Sequence, residues 1–376
     1  MTPIPDYGAI AAELADRDAE AFVHVGDRFD DDLRYLTRFS GSERPYAVVV
    51  RRDREEPTLC APRSFEKRAR REFPGRVASA DEQATTTAGE RAAELLAGGR
   101  VLVPQHLPHD AALRLERAGC ELESTDVVDR MRVRKSEDEI ERIRAVQAAA
   151  RAGMARAETV LAEATVERGR LVRNGEALTT ERLRREVNAE LASEGASDAH
   201  NTVIGAGETC TDLHFTGDVP IEAGETVLLD LSPRGSAGYH GDLSRTFVVE
   251  SDGGWERRAY VAAERAQDAA LAVLSKGTGT IASSVHEEAA AEIAAYGFRP
   301  DGEPGLTHGV GHGVGVSLHE SPSLREETEL EAGTVLAVES GVYDSRQGGV
   351  RLGDLVVVRE DGFESLADYP RSLVPR

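Results

Sequence analysis

The chain has 376 residues, 40% of them hydrophobic and 5% aromatic, with 67 acidic against 45 basic side chains and a formal net charge of -22. That is enough apolar material for packed cores built largely from Ala, Val and Leu, and the length points to two domains because single cores rarely grow past roughly 250 residues. The charge excludes a nucleic-acid partner and argues against an anionic membrane, since both present phosphates that such a surface repels. Lysine occurs only at Lys67, Lys135 and Lys276, and this arginine-rich, acidic balance reads as adaptation to a salt-rich cytoplasm in which counter-ions screen surface charge. Cys60, Cys120 and Cys210 are isolated, which suits a reducing compartment. The amino-terminal MTPIPDYGAIAAELADRD has no basic segment followed by an apolar run, and nothing approaches the roughly 20 apolar residues of a membrane span. The expected location is cytoplasmic.

In chain order, residues 1–130 alternate apolar runs (AFVHV, YAVVV, VLVP) with helical stretches near 8–19, 64–73 and 110–118, an α/β pattern. Nothing in this part concentrates His, Asp or Glu, and His106 and His109 are read as surface or capping residues. At Ser136 the character changes: Ser136 and Glu139 are spaced as a capping box, and a long helix opens the second domain, residues 131–376. A helix over LTTERLRREVNAELASEG ends at Gly195 and leads into TVIGAG. Two further helices over 254–274 and 280–296 lie among the strand-like runs TVLLDLS, RTFVVE, TVLAVES and VRLGDLVVV. Two blocks of helices, each followed by strands, predict a pseudo-duplicated α+β domain, although no direct repeat is visible.

The chemistry concentrates in this second domain. Asp230 stands near the end of an apolar strand and Asp242 precedes another; buried without a partner, either carboxylate would be costly. If SPRGSAGYHG between them folds as a hairpin loop, the two acids meet and call for a cation. By themselves, two acids at strand ends read more simply as turn formers. LTHGVGHGVGVSLHESP shifts the balance, because His308, His312 and His319 lie among glycines that let the backbone approach a buried centre closely. Glu339 closes TVLAVES, another inward carboxylate in need of a partner. Nitrogen and oxygen donors of this kind suit Mn, Co, Fe or Zn better than a thiolate-seeking metal.

The order and surroundings of these residues resemble the M24 metallopeptidase family of prolidases and Xaa-Pro aminopeptidases. The resemblance rests on DLSRT after Asp242's strand boundary, on THGVGHG, on HESP and on the strand around Glu339; it covers about 136 to 367. Upstream, DDLRYLTRFSGS is similar to a stretch of the prolidase-type amino-terminal domain, and VVDRMRVRKSEDEIERIR to the junction between domains. The resemblance implies a smaller α/β creatinase/prolidase-type domain ahead of a pita-bread (creatinase/aminopeptidase) α+β catalytic domain. It further implies metal ligands at Asp230, Asp242, His312 and Glu339, with Glu339 also a proton acceptor. His319 falls on the position that contacts the reacting carbonyl, His214 on a substrate-side position, and His308 close behind the ligands. The implied reaction is hydrolysis of dipeptides or short peptides at Xaa-Pro bonds, in which a divalent ion activates water and His319 donates to the developing oxyanion. The family also implies a homodimer. Arg351 is read either as holding a substrate carboxylate or as a structural ion pair.

One position departs from the family. Where a bridging glutamate stands in G-G-V-R-x-E-D, this chain reads GGVRLGD and places Gly353 at the ligand position. Asp354 is adjacent, but side chains alternate along a strand, so it should face the other way unless a bulge intervenes. Ser340 and Ser232 replace the family's usual proline and glycine. The expectation is a single ion held by Asp242, His312 and Glu339, with Asp230 assisting or holding a weak second ion. Two other readings stay open on the same fold: a creatinase-like amidinohydrolase or lyase, and a non-catalytic peptide-binding module.

Overall fold

The computed structural model describes residues 5–41, 43–54, 56–79, 86–366 and 368–376. Met1 to Ile4 of the segment read for a leader, Ser42 at the end of DDLRYLTRFSGS and Ala367 at the edge of the catalytic-domain resemblance lie outside them. The chain divides into two compact units, Met1–Arg132 and Val133–Arg376.

The first unit is built on a six-stranded sheet. Its strands are β1 (Ala21–Gly26), β2 (Tyr46–Arg51), β3 (Thr58–Ala61), β4 (Arg76–Ser79), β5 (Gly99–Pro104) and β6 (Cys120–Thr125), arranged β4-β3-β2-β1-β5-β6. Its helices are α1 (Gly8–Asp16), α2 (Asp31–Thr37), α3 (Glu66–Glu72), α4 (Ala88–Ala93), α5 (His109–Arg117) and α6 (Val127–Val133), the last of which runs into the unit boundary. Strand alternation sorts β1: Ala21, Val23 and Val25 join a core with Ala92 of α4 and Leu115 of α5. Phe22 and His24 therefore face the other side, and both are fully buried. Asp30 caps α2 by accepting from the Leu33 amide at 2.8 Å.

The second unit opens with α7 (Glu137–Ala162), whose Ser136 and Glu139 make both halves of the expected capping box. A small meander, β7 (Thr165–Glu167), β8 (Arg170–Arg173) and β9 (Glu176–Ala177), precedes α8 (Thr180–Ser193). Two-residue strands β10 (Ala196–Ser197) and β13 (Arg234–Gly235) pair with each other. The main sheet has eight strands: β11 (Thr202–Ala206), β12 (Val227–Leu231), β14 (Leu243–Phe247), β15 (Gly311–Gly313), β16 (Glu320–Ser323), β17 (Val335–Asp344), β18 (Gly348–Arg359) and β19 (Gly362–Ser365). Its order is β11-β12-β14-β18-β17-β15-β16, with β19 beside β18. Helices α9 (Trp255–Leu274) and α10 (Ala282–Ala295) pack on Leu336, Val338, Val350 and Leu352, while α7 and α8 pack on Leu229, Leu231 and Leu243.

These helices take one face of the sheet, and alternation hands the other to the residues between. Asp230 lies between Leu229 and Leu231, and Glu339 follows Val338, so both acids point away from the helical layer. Cys60, Cys120 and Cys210 are buried and free, and among the described residues no helix is long and apolar enough to cross a membrane.

Candidate metal centre

Register places four residues in one row across the sheet. Asp230 on β12 pairs with Ser244 on β14, Ser244 with Gly353 on β18, and Gly353 with Glu339 on β17. Adjacent strands lie about 4.8 Å apart, so side chains of one row reach their neighbours. Asp242 is two residues before Ser244 and shares its face. His312 on β15 pairs with Ala337, two residues before Glu339. The topology thus gathers Asp230, Asp242 and Glu339, whose ligand oxygens fall within 4.8 Å of one another. His312 joins them through Glu339, with Nε2 at 3.7 Å from Oε2. The hairpin expected between the two aspartates is present, offset so that Asp242 sits diagonally from Asp230.

Asp242 is held by its main chain. Gln147 of α7 accepts from its amide at 2.8 Å and donates to its carbonyl at 2.7 Å. A Cβ at Gly241 would come within 2.9 Å of the Gln147 side-chain oxygen, so the approach needs glycine there. The carboxylate itself is 3% exposed, and its Oδ1 has no hydrogen-bond partner. Burial and the charges of Glu339 and Asp230 push its pKa well above the usual carboxylate range.

Arg351 lies against the row from β18. Its Nη1 donates to Asp230 Oδ2 at 2.7 Å and approaches Glu339 Oε1 at 3.6 Å, and its Nε donates to the Tyr343 hydroxyl at 2.7 Å. Tyr343 stands 3.0 Å from His308 Nε2, and His308 Nδ1 lies 2.7 Å from the Gly309 carbonyl. A neutral His308 satisfies this chain, accepting from Tyr343 and donating to Gly309; burial and Arg351 lower its pKa to about 4. Arg351 and His308 line the cavity, yet these polar atoms are engaged by the protein itself rather than left open for a substrate carboxylate.

Burial raises Asp230 to about 6, helped by Glu339 and opposed by Arg351. Burial works against Glu339 too, but Arg351 and His312 outweigh it and hold this carboxyl well below the ordinary range. For His312 the same contest runs in reverse: burial disfavours the charged ring, the Glu339 carboxylate outweighs it, and the pKa rises. His319 faces His312 with ring centroids 4.4 Å apart, and burial and that neighbour lower its pKa. His214 and His319, both exposed, line a cavity of about 240 Å³ over the carboxylates.

The structure also bears on the substituted position. β17 and β18 run in unbroken register from Val335 to Asp344, without a bulge, so Asp354 faces the helical layer. There it accepts from Arg245 and Arg371, each at 2.7 Å, and cannot serve the row. Ser244 instead fills the space beside Gly353: its hydroxyl lies 2.9 Å from Glu339 Oε1 and 3.1 Å from Asp230 Oδ1. Sequence reasoning missed Ser244, Gln147 and Tyr343. Tyr343 carries a faint signal, four residues beyond Glu339 and hence on its face of the strand; a serine inside DLSRT and a glutamine inside a helix carry none. Ser340 has a local reason, since its amide donates to Gln267 Oε1 at 3.2 Å, which proline could not do.

These residues fit a divalent ion. Two buried carboxylates and one partly buried one face Arg351 and one imidazole, two of the three resist ionisation, and the unpartnered Oδ1 of Asp242 is a ligand atom that no hydrogen-bond donor meets.

Comparison with known proteins agrees with this geometry. Residues 141–360 match metallopeptidase family M24 and residues 8–134 the creatinase/prolidase N-terminal domain. A probable dipeptidase PepE of Mycobacterium tuberculosis is 28% identical over 258 residues, 67% of this chain and 63% of that protein's length. An Xaa-Pro dipeptidase of Pyrococcus furiosus is 32% identical over 258 residues, 66% of this chain and 67% of that protein. The crystal structure of the prolidase from Pyrococcus horikoshii OT3 superposes with a TM-score of 0.82 at 25% identity, covering 98% of this chain and 99% of that one. With its metallopeptidase model spanning the carboxylate row and a creatinase-type domain ahead of it, the chain belongs to metallopeptidase family M24.

Proposed function

We propose that this protein hydrolyses dipeptides or short peptides at Xaa-Pro bonds, using one tightly held divalent ion, Mn, Co, Fe or Zn, in a centre from which the family's bridging glutamate is missing. The observation that carries the reading is the convergence of Asp230, Asp242 and Glu339 within 4.8 Å, with His312 beside Glu339. The protein's relatives, a probable dipeptidase and an Xaa-Pro dipeptidase, support this substrate class. Ion binding falls to Asp242, His312 and Glu339. Asp230 assists, because Arg351 and Ser244 already occupy its two oxygens.

When bound, the ion supplies a Lewis acid that polarises the scissile carbonyl and makes water nucleophilic near neutral pH. The protein's own groups do the rest. Glu339, held as the carboxylate by Arg351 and His312, accepts the proton that water loses. His319, at the cavity wall beside His312, donates toward the oxygen on which charge develops. Arg351, fixed by Tyr343, keeps Asp230 and Glu339 in place. His214 on the exposed rim contacts the substrate.

A panel of Xaa-Pro dipeptides and longer peptides, assayed in molar KCl with Mn, Co or Zn, tests the reading. Cleavage that needs metal and disappears in His312→Ala and Glu339→Ala supports it. Turnover that survives chelation moves the protein to creatinase-like chemistry, and binding without turnover makes it a peptide-binding module.

A further inference from the structure

Among the described residues, two groups of His, Asp and Glu side chains bring three or more ligand atoms within 4.8 Å of one another. One is the carboxylate row. The other, His24 with Asp32 and His106, lies in the first unit, where the sequence shows no such concentration. Strand topology assembles it. β1 runs parallel to β5, with Ala21 beside Val101 and Phe22 beside Leu102. His24 on β1 and His106, two residues past β5, meet edge to face with ring centroids 5.0 Å apart. Asp30 and Asp32, on either side of the first residue of α2, complete the group.

We propose that His24, His106, Asp30 and Asp32 bind a zinc ion in a site separate from the peptidase centre. Spacing is the first argument. Zinc bonds of about 2.0–2.1 Å in a tetrahedron separate the donors by roughly 3.3 Å. Here Asp30 Oδ1 is 2.8 Å from His24 Nε2, Asp32 Oδ2 is 3.5 Å and Asp30 Oδ2 3.8 Å from His106 Nε2. His24, Asp32 and His106 already offer ligand atoms within 4.8 Å of one another, and Asp30 stands beside them as the fourth donor, reaching the ion by turning from the Leu33 amide.

Charge and burial are the second argument. Asp32 is 3% exposed and His24 fully buried. Arg132 donates to Asp32 Oδ1 at 2.5 Å and Leu33 to Asp30 Oδ1 at 2.8 Å, which leaves the Oδ2 atoms of both carboxylates to face the imidazole of His106. Asp129 nearby is pushed up by burial and by the Asp32 charge, so the pocket carries more negative charge than Arg132 neutralises. A divalent cation with two nitrogen and two oxygen donors and no thiolate matches that surplus. The His106 side chain is 57% exposed, which gives an ion a way in. Bound there, zinc would tie the middle of β1, the start of α2 and the turn after β5 into one rigid corner.

The test uses the full-length chain, stripped of metal and dialysed against zinc, with zinc counted per chain by mass spectrometry. Replacing both His312 and Glu339 by Ala disables the peptidase centre and isolates the proposed one. In that background the chain should retain a zinc ion, and cobalt(II) should give the visible absorption of a tetrahedral nitrogen and oxygen site. Adding His106→Ala, a change at an exposed side chain that leaves the core intact, should weaken zinc binding by more than about 100-fold, beyond the loss typical of a supporting residue. His24→Gln should do the same. Failure of the background protein to retain zinc, or undiminished binding after both histidines are replaced, overturns the proposal. Neither outcome touches the peptidase reading, which is judged by cleavage.

Discussion

Ser244 and Gly353 face each other across β14 and β18, and a side chain begun at 353 would place its Cβ 3.0 Å from the Ser244 Cβ. The serine hydroxyl bonds to acids on both sides of the gap, to Asp230 and to Glu339. A neutral hydroxyl therefore bridges the row beside Gly353. It links the two acids without adding negative charge of its own.

On the proposed one-ion reading, a glutamate introduced at position 353 should bring in a second ion. Gly353→Glu is expected to bind one more metal per chain than the wild type, a difference that does not depend on any site elsewhere. The metal-free variant should melt lower than the wild type, because the new side chain also meets Glu339 Cγ at 3.2 Å and adds a buried carboxylate. Saturating metal should reverse the order. Unchanged stoichiometry would show that Gly353 is not what limits the site.

Protons and metal compete for the same oxygens. Asp230 titrates near 6 in the folded protein against an ordinary 3.8. Between those values the folded state holds a proton that the unfolded chain has lost, so metal-free stability should fall as pH rises through this window. Metal affinity should move oppositely, rising with pH through about 6, and Asp242, also raised by burial and its neighbouring acids, contributes to the same rise. Calorimetric titration between about pH 5 and 8, in buffers of different ionisation enthalpy, measures both the affinity and the protons released.

His319 and Glu339 should separate kinetically. His319→Ala removes a donor to the transition state and is expected to lower kcat by about 100- to 1,000-fold with little change in KM. Glu339→Ala removes a ligand as well as a proton acceptor, so its loss should be accompanied by release of the ion. Metal analysis of both variants beside their rates decides this.

Asp354 serves the scaffold. Arg245 is 1% exposed in its side chain and bonds to Asp354 at 2.7 Å. Asp354→Ala leaves that guanidinium buried without its carboxylate and should destabilise the protein by about 3–5 kcal/mol in denaturant unfolding. The folded fraction should bind metal as the wild type does.

With a net charge of -22, repulsion across the surface opposes the compact state when ions are scarce. The melting temperature should climb as KCl is raised toward molar concentration and drop after dialysis into low salt. A flat profile would dismiss the halophilic reading of the composition.

How much of this was legible in the sequence depended on whether a residue's type carried its role. Ser136 and Glu139 announced the start of α7 because a capping box is a local pattern. Asp230, Asp242, His312 and Glu339 stood out because acids and histidines are conspicuous in apolar or Gly-rich runs. β6 was missed because Glu121 and Glu123 break its apolar character on a sheet edge, and β15 because GHG looks like loop. The row that joins Asp230 to Glu339 is a matter of register among strands distant in sequence, which no local pattern encodes. The same holds for His24 and His106, brought together only by the parallel pairing of β1 and β5.

The way Gln147 grips Asp242 has a kinetic consequence. The backbone of this residue is fixed from both sides while one carboxylate oxygen remains unengaged. On the proposed reading, a cation arriving at that oxygen would have a proton to displace but no hydrogen bond of the protein to break. At Asp230 an incomer would first have to displace a guanidinium and a hydroxyl. Entry from the Asp242 side is therefore the less obstructed route.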